Sequence, residues 1–401
     1  MNAMVIIGAG ECGARAAFAL RESGWSGRIV LIGNEPGMPY ERPPLSKPTE
    51  TGVCHRPVCD EASLRDAQID YLAGVEVKSL DRVSKRAYLS DGRDMAFEKL
   101  LFATGARARP LSCPGGERAL SFRTLIDAQR LYGAIAGVRH VAVVGAGLIG
   151  MELAATLRTA EIDVTVIEAG PRPLGRAVPA MLAERLLARH RQEGVRFVFG
   201  TGVSSVDDQA VVLSDGTVIQ ADVVVAAIGV IPETALAERE GLVVDNGIVV
   251  DTQLTTSDSN LFAAGDCARA PCRHSNGVPV RLESWRNARD QGEHAAKSML
   301  GEATSFDAVP WFWSDQYDLG LQIAGIPDPV RPSIERRLSD DAHVLFQFGD
   351  DGHLASASGL GKGNGIAKEI KLAEMLIARR ASPSPASLQD PAINLKSLLR
   401  A

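Results

Sequence analysis

Two stretches of this chain carry residues whose type and spacing suit the binding of phosphates, and a third suggests sulfur chemistry. MVIIGAGECG places Gly8, Gly10 and Gly13 directly after the apolar run Met4–Ile7, and HVAVVGAGLIG places Gly145, Gly147 and Gly150 after residues 140–144. Each G-x-G-x-x-G opens a helical stretch, to about Arg21 and about Thr159, and a second strand follows, RIVLI (28–32) or DVTVIE (163–168). In such a unit the first glycine permits a tight turn, the second lets a pyrophosphate approach the backbone, and the third lets helix and strand pack closely. The helix N-terminus then offers its free N–H groups to the phosphates. The sulfur candidate is CHRPVC, where four residues separate Cys54 from Cys59.

An acid closes each unit. Asn34 and Glu35 follow RIVLI, and Glu168 ends DVTVIE. A carboxylate there accepts a ribose 2′-hydroxyl and repels a 2′-phosphate, so Glu168 favours NADH, a preference that the nearby Arg172 and Arg176 would soften. In the first unit Glu35 is chemically apter than Asn34, and the spacing permits either. A lone G-x-G-x-x-G is weak evidence, but two with acidic partners, 137 positions apart at Gly8 and Gly145, imply two dinucleotides. The usual pairing is a tightly held flavin and a visiting nicotinamide.

The elements that position these loops need room. At 401 residues the chain suits two or three domains. With 45% hydrophobic and 23% charged residues it has an ordinary globular composition. A net charge of −6 argues against wholesale nucleic-acid binding. The longest apolar tract, 141–157, carries Glu152 and three glycines and so reads as no membrane span. MNAMVIIGAG passes straight into a buried-strand pattern without a basic leader region, and six cysteines are too few for a disulfide framework in a chain this long. The expectation is a cytoplasmic protein.

Further motifs narrow the field. LLFATGARARP (100–110), VVVAAIGVIPE (223–233) and NLFAAGDCA (260–268) resemble signatures of two-dinucleotide flavoprotein reductases. PYERPPLSK (39–47), RTLIDA (123–128), RLESWRNA (281–288), PWFWSDQY (310–317) and the ending INLKSLL (393–399) are similar to the ferredoxin-reductase components of Rieske-type aromatic-ring dioxygenases and P450 systems. This is the putidaredoxin-reductase-like family, and the 3-phenylpropionate/cinnamate dioxygenase reductase type is especially close. The resemblance covers nearly the whole chain.

It implies an α/β fold with two Rossmann-like domains, arranged as in glutathione reductase, and a C-terminal α/β domain. The flavin domain would take residues 1–108 and 233–307, the nicotinamide domain 109–232, and the C-terminal partner domain 308–401. The family places Lys47 near the flavin's reactive nitrogen, with Glu152 as its paired carboxylate. Arg42 would contact the pyrophosphate or ring, Asp266 the ribityl chain, Val77 the adenine through its backbone, and Arg123 and Trp285 the flavin. Cys12, Ala103, Thr104 and Gly105 complete the FAD contacts. Leu148, Ile149, Arg176 and Gly229 join Glu152, Glu168 and the second glycine loop at NAD. Glu233 stands where many relatives have Asn and receives no role.

The resemblance also bears on CHRPVC. In the superfamily's disulfide reductases the cysteine pair precedes the flavin lysine, near Met38 and Pro43 here, and neither position holds sulfur. Cys54 and Cys59 follow Lys47 and read as coincidence. Cys267, Cys272 and His274 supply only three ligands, so no metal site is assigned. The expected activity is transfer of electrons from NADH through FAD to a [2Fe–2S] ferredoxin that feeds an oxygenase, by a monomer or homodimer. The basic stretch 359–380 reads as a solvated helix face or a ferredoxin-docking surface. Rubredoxin reductase, NADH oxidase and a slow, redox-sensing NADH-binding flavoprotein remain open; a coenzyme A or glutathione disulfide reductase is disfavoured.

Overall fold

A strand buried on both faces of a parallel sheet reads as a continuous apolar run, and β1 (Ala3–Ile7, AMVII) is buried at every position. The computed structural model describes residues 3–49, 52–275 and 277–400. The chain divides into two compact units: one takes the segments up to Pro43, His55–Arg107 and Ile231–Ala308, the other Pro44–Cys54, Ala108–Val230 and the chain from Val309 onward.

In the first unit β1 lies between β2 (Arg28–Gly33) and the strand Asp94–Phe102, parallel to both. Ile69–Ala73 extends the sheet beyond β2, and Leu261–Ala263 also pairs with Asp94–Phe102. The helix α1 (Glu11–Glu22) buries Ala14, Ala16, Ala17, Ala19 and Leu20. Small residues let α1 approach the helix Trp285–Met299 closely: a Cβ on Gly292 would lie 2.4 Å from the Cys12 carbonyl oxygen. The glycine there is a steric requirement.

The second unit repeats the plan with β3 (His140–Val144), α2 (Leu148–Thr159) and β4 (Asp163–Glu168). β3 sits between β4 and Val223–Ala226, all parallel, and Arg196–Phe199 extends the sheet outside β4. The helix α3 (Ala180–Gln192) buries Leu182, Leu186 and His190, an i, i+4, i+8 stripe whose third member is polar. The same unit contains an antiparallel five-stranded sheet that starts with β5 (Trp311–Gln316) and β6 (Leu319–Gly325), joined by a two-residue turn. Along β5, Ser314 and Gln316 are buried and Asp315 between them is exposed, the period of two expected of a half-buried strand. Leu321, Ile323, Leu345 and Leu360 of this sheet share an apolar core with Val141, Val143, Leu153 and Leu186.

RRASPSPAS reads as a loop, but its end is helical: Pro385–Gln389 forms a short helix, with Ser384 as N-cap accepting from the Ser387 N–H. A helix starting at proline loses nothing, since the first N–H would be unbonded anyway. What pins the C-terminal residues is Arg336, only 1% exposed. Its guanidinium donates to the backbone oxygens of Leu388, Asp390 (2.6 Å) and Ile393 (2.6 Å), and it pairs with Glu369 at 3.0 Å. Among the described residues no helix is long and apolar enough to cross a membrane.

Candidate active site

Sequence forces the first glycine loop into one shape. Gly8 has φ +108°, and a side chain on it would meet the Ala103 carbonyl oxygen at 2.1 Å. On Gly13 a Cβ would lie 1.8 Å from the Gly8 oxygen, so helix and loop touch as closely as backbones can. Gly10, by contrast, faces open space within 4 Å. It is the N-cap of α1 and gives no side-chain cap, so the first N–H groups of the helix stay available. That is the arrangement an anionic diphosphate requires.

Around this loop the structure gathers several of the residues expected at a flavin nucleotide. Ala103, Thr104 and Gly105 follow Asp94–Phe102, with the Ala103 N–H donating to the Ile7 oxygen (2.8 Å) and Thr104 Oγ1 to the Glu233 oxygen. Asp266 lies in the short 3₁₀ turn Gly265–Cys267, where Gln291 accepts the Gly265 N–H at 2.8 Å. Cys12 is buried, its thiol held high by burial, and it packs against Gly265 and Gly292, which leaves only its backbone for a ligand. Trp285 opens its helix, with the Arg289 guanidinium 5.7 Å from its ring centre. Val77 begins the strand Val77–Asp81 and is buried.

Between the two candidates after β2, the structure distinguishes sharply. Asn34 is exposed. Glu35 accepts from the Tyr40 hydroxyl at 2.6 Å and the Arg42 guanidinium at 2.8 Å, so it is fixed in place. Arg42 is thus an ion-pair partner of Glu35 and also lies 5.6 Å over the Tyr40 ring. Glu11, at the start of α1, was given no role by sequence reasoning. Burial, with Glu41 adding its charge, pushes its carboxyl up to about 7 against the opposing pull of Arg289 and Arg15.

The second loop has the same skeleton. Gly145 has φ +104° and a Cβ there would meet the Ala227 oxygen at 2.5 Å; on Gly150 it would meet the Gly145 oxygen at 2.0 Å; Gly147 again faces open space. α2 starts uncapped at Leu148. Glu168 accepts from the Ala146 N–H and the Gly170 N–H, both at 2.8 Å, so the loop's own backbone aims the carboxylate. A carboxylate has about four acceptor positions and keeps capacity for a ribose hydroxyl. Arg172 is consumed by backbone oxygens of Pro173, Gly175 and Val178, whereas the exposed Arg176 lies near Gly229, whose φ is +98°. Ile149 is 44% exposed at the loop. Arg123 gives its N–H to Asp127, just ahead of the capping box that opens the helix Leu125–Ala134.

The expected Lys47–Glu152 ion pair is corrected by the structure. Lys47 Nζ pairs with Asp315 at 2.9 Å. Glu152, 8% exposed, accepts instead from Ser46 Oγ and Ser314 Oγ, both at 2.7 Å. A buried carboxylate needs donors on both oxygens, and two neutral hydroxyls supply them without a second desolvated charge. Burial, with the charge of Asp315 added, holds the Glu152 carboxyl above its ordinary range against the opposing pull of Lys47 and the two serines. Lys47 therefore acts on Glu152 through space. Ser46 and Asp315 lay inside the quoted motifs RPPLSK and FWSDQY, and nothing in the residue types marked them as partners of Lys47 and Glu152.

The thiols do not gather into a redox or metal centre. CHRPVC forms no regular element beyond a bridge of Pro57 to Tyr40, and Cys54 and Cys59 are free thiols. Burial, then the charge of Asp60, pushes Cys59 up to about 11, which makes it a poor nucleophile near neutrality. Among the described residues no cluster of three or more His, Cys, Asp or Glu could hold a metal.

Residues 2–292 match the family model described as pyridine nucleotide-disulphide oxidoreductase, and residues 311–399 match the reductase C-terminal model. The chain belongs to the pyridine nucleotide-disulphide oxidoreductase family. Within that family it is 38% identical to the ferredoxin–NAD(+) reductase component of the anthranilate 1,2-dioxygenase system of Burkholderia cepacia, over 98% of each chain. It is 42% identical to rhodocoxin reductase of Rhodococcus erythropolis, over 80% of this chain and 78% of that one. Among solved structures, the ferredoxin reductase for the CYP199A2 system of Rhodopseudomonas palustris superposes with a TM-score of 0.94 at 32% identity, covering 99% of both chains. As a member of this family the chain has the expected mixed α/β fold with a C-terminal reductase domain.

Proposed function

We propose that this protein is a cytoplasmic NADH:ferredoxin oxidoreductase that holds FAD at the Gly8–Gly13 loop, receives NADH at the Gly145–Gly150 loop and supplies electrons to a [2Fe–2S] ferredoxin serving an oxygenase. The observation that carries the reading is the pair of uncapped helix N-termini, one in each unit, each framed by glycines that permit no side chain and opened by one that faces free space. The residues present fit a dinucleotide at both. Full-length similarity to ferredoxin–NAD(+) reductases favours a ferredoxin as acceptor.

The flavin, when bound, supplies the one chemistry the side chains lack: taking two electrons together and releasing them singly. The chain's own residues bind and orient. The first N–H groups of α1 and α2 take the diphosphates, Glu35 and Glu168 the adenosine riboses, and Thr104, Asp266 and Trp285 line the flavin. Lys47 brings a cation to the reacting centre, tethered by Asp315 so that it does not swing freely into solvent. Glu152 holds a buried, hydrogen-bonded carboxylate beside the nicotinamide.

The test is NADH-driven reduction of cytochrome c with and without an added [2Fe–2S] ferredoxin. Turnover that depends on ferredoxin is the expected result. NADH consumption that ignores ferredoxin and follows dissolved oxygen would make the protein an oxidase.

A further inference from the structure

Glu152 is the inner end of a buried hydrogen-bonded chain that the proposed reaction does not require. Ser314 Oγ donates to Glu152 Oε1 (2.7 Å) and accepts from Gln316 Nε2 (3.1 Å). Gln316 Oε1 lies 2.9 Å from His190 Nε2, and His190 Nδ1 lies 3.3 Å from the Tyr317 hydroxyl. Ser314, Gln316 and His190 are each no more than 1% exposed. An ionised carboxylate only accepts, so Ser314 must spend its one proton on Glu152 and accept from the Gln316 amide. The Gln316 oxygen then needs a donor, which fixes the proton of a neutral His190 on Nε2 and leaves Nδ1 to accept from Tyr317. With Glu152 ionised, every bond points inward.

Two further observations support a built device. Tyr317 has φ +57° in the β5–β6 turn, a conformation that costs a bulky residue energy and persists only where surroundings hold it. Here they do: the Arg189 guanidinium stacks 4.8 Å from its ring centre and also pairs with Asp318 (3.2 Å). Second, His190 occupies the place on α3 where the stripe of Leu182 and Leu186 calls for an apolar residue. Burial pulls its titration down to about 4, so it is neutral as the chain of bonds demands.

We propose that Tyr317, His190, Gln316 and Ser314 form a one-way hydrogen-bond wire that positions Glu152 and favours its ionised form against burial, making His190 and Gln316 positioning residues for the nicotinamide site. The functional half of this rests on the placement of Glu152 under Proposed function. The charged and titratable groups facing the wire are Lys47, Asp315 and Tyr132 around Glu152, Arg189 beside His190, and Arg158 toward Tyr317. Burial favours the neutral acid, and the wire's donors oppose it. Cutting the wire therefore raises the pH at which Glu152 loses its proton.

The experiment is infrared titration of the flavin-loaded protein without nicotinamide, following the protonated-carboxyl band that disappears in Glu152→Gln. Gln316→Leu should raise the midpoint by about one pH unit, a tenfold change in proton affinity. His190→Gln alone, whose amide can donate to Gln316 and accept from Tyr317, should leave the midpoint near the unmodified value. If Gln316→Leu does not fold, Tyr317→Phe and Ser314→Ala take its place, with a smaller and a comparable rise expected. An unchanged midpoint in folded variants overturns the wire. The pH profile of NADH-driven flavin bleaching should move by the same amount; a moved infrared midpoint with an unmoved bleaching profile upholds the wire and overturns the placement of Glu152 at the reacting centre.

Discussion

At Gly8 and Gly145 the backbone takes φ of +108° and +104°, and in both loops the third glycine touches the first one's carbonyl. Their surroundings diverge. Position for position, Glu11 and Cys12 in the first motif correspond to Leu148 and Ile149 in the second. Cys12 is covered by the helix Trp285–Met299, whereas Ile149 is 44% exposed. The acids differ too: Glu35 is braced by side chains, Tyr40 and Arg42, and Glu168 by backbone N–H groups of its own loop. The shared geometry is dictated by close backbone contact, and the decoration is free to suit residence or traffic. A covered loop with a side-chain brace suits a nucleotide that stays; an open loop with a self-aimed carboxylate suits one that exchanges.

The largest effects should come from what the loops share. Gly13→Ala and Gly150→Ala each drive a methyl into a carbonyl, and each should destabilise its unit by more than about 3 kcal/mol in urea unfolding. If one is tolerated, the loops are not equivalent in backbone. Next comes the coenzyme acid. Glu168→Arg should raise the NADPH-to-NADH ratio of kcat/KM by at least about tenfold, ~1.4 kcal/mol; an unchanged ratio would detach Glu168 from the ribose.

A smaller effect separates the loops by pH. The Glu11 carboxyl binds its proton more tightly folded than unfolded, so the native state holds more protons between about pH 4.5 and about 7. Stability from this group is therefore greatest at the acid end and declines as pH rises through that window. Glu11→Gln should flatten the decline in thermal unfolding; Leu148 gives the second loop no such dependence. Last, Asn34→Ala should leave stability within about 0.5 kcal/mol and flavin retention unchanged, while Glu35→Gln releases flavin several-fold more readily in dilution. Equal behaviour of the two variants would undo the assignment of the ribose acid to Glu35.

The glycine loops were legible because both requirements are local: buried parallel strands read as unbroken apolar runs, and steric contact within a few residues leaves only glycine. What surrounds Glu152 was not. Ser314 is 162 positions away along the chain, and it reaches Glu152 only because the β5–β6 hairpin folds onto α2. His190 stands among polar residues at a helix end, LARHRQEG, and its partner Gln316 lies 126 positions on. The turn at Tyr317 carries none of the glycine or asparagine that would announce it. The basic stretch 359–380 shows what charge along a sequence leaves out. Lys362 is paired with Asp341, Lys371 with Glu374 and Arg380 with Asp351, while Arg379 donates to the Leu399 oxygen. Charge counted along the sequence overstates the positive field these residues present.

Arg336 carries a consequence for how the chain is made. Its guanidinium is buried against carbonyls of residues 388–393, segments that leave the ribosome more than fifty positions after it. Until then a permanent charge has Glu369 at most for company, and its site cannot close dry. The antiparallel sheet around it is thereby kept from closing over that charge until residues 388–393 have arrived, so a segment far along the chain governs when this strand is sealed.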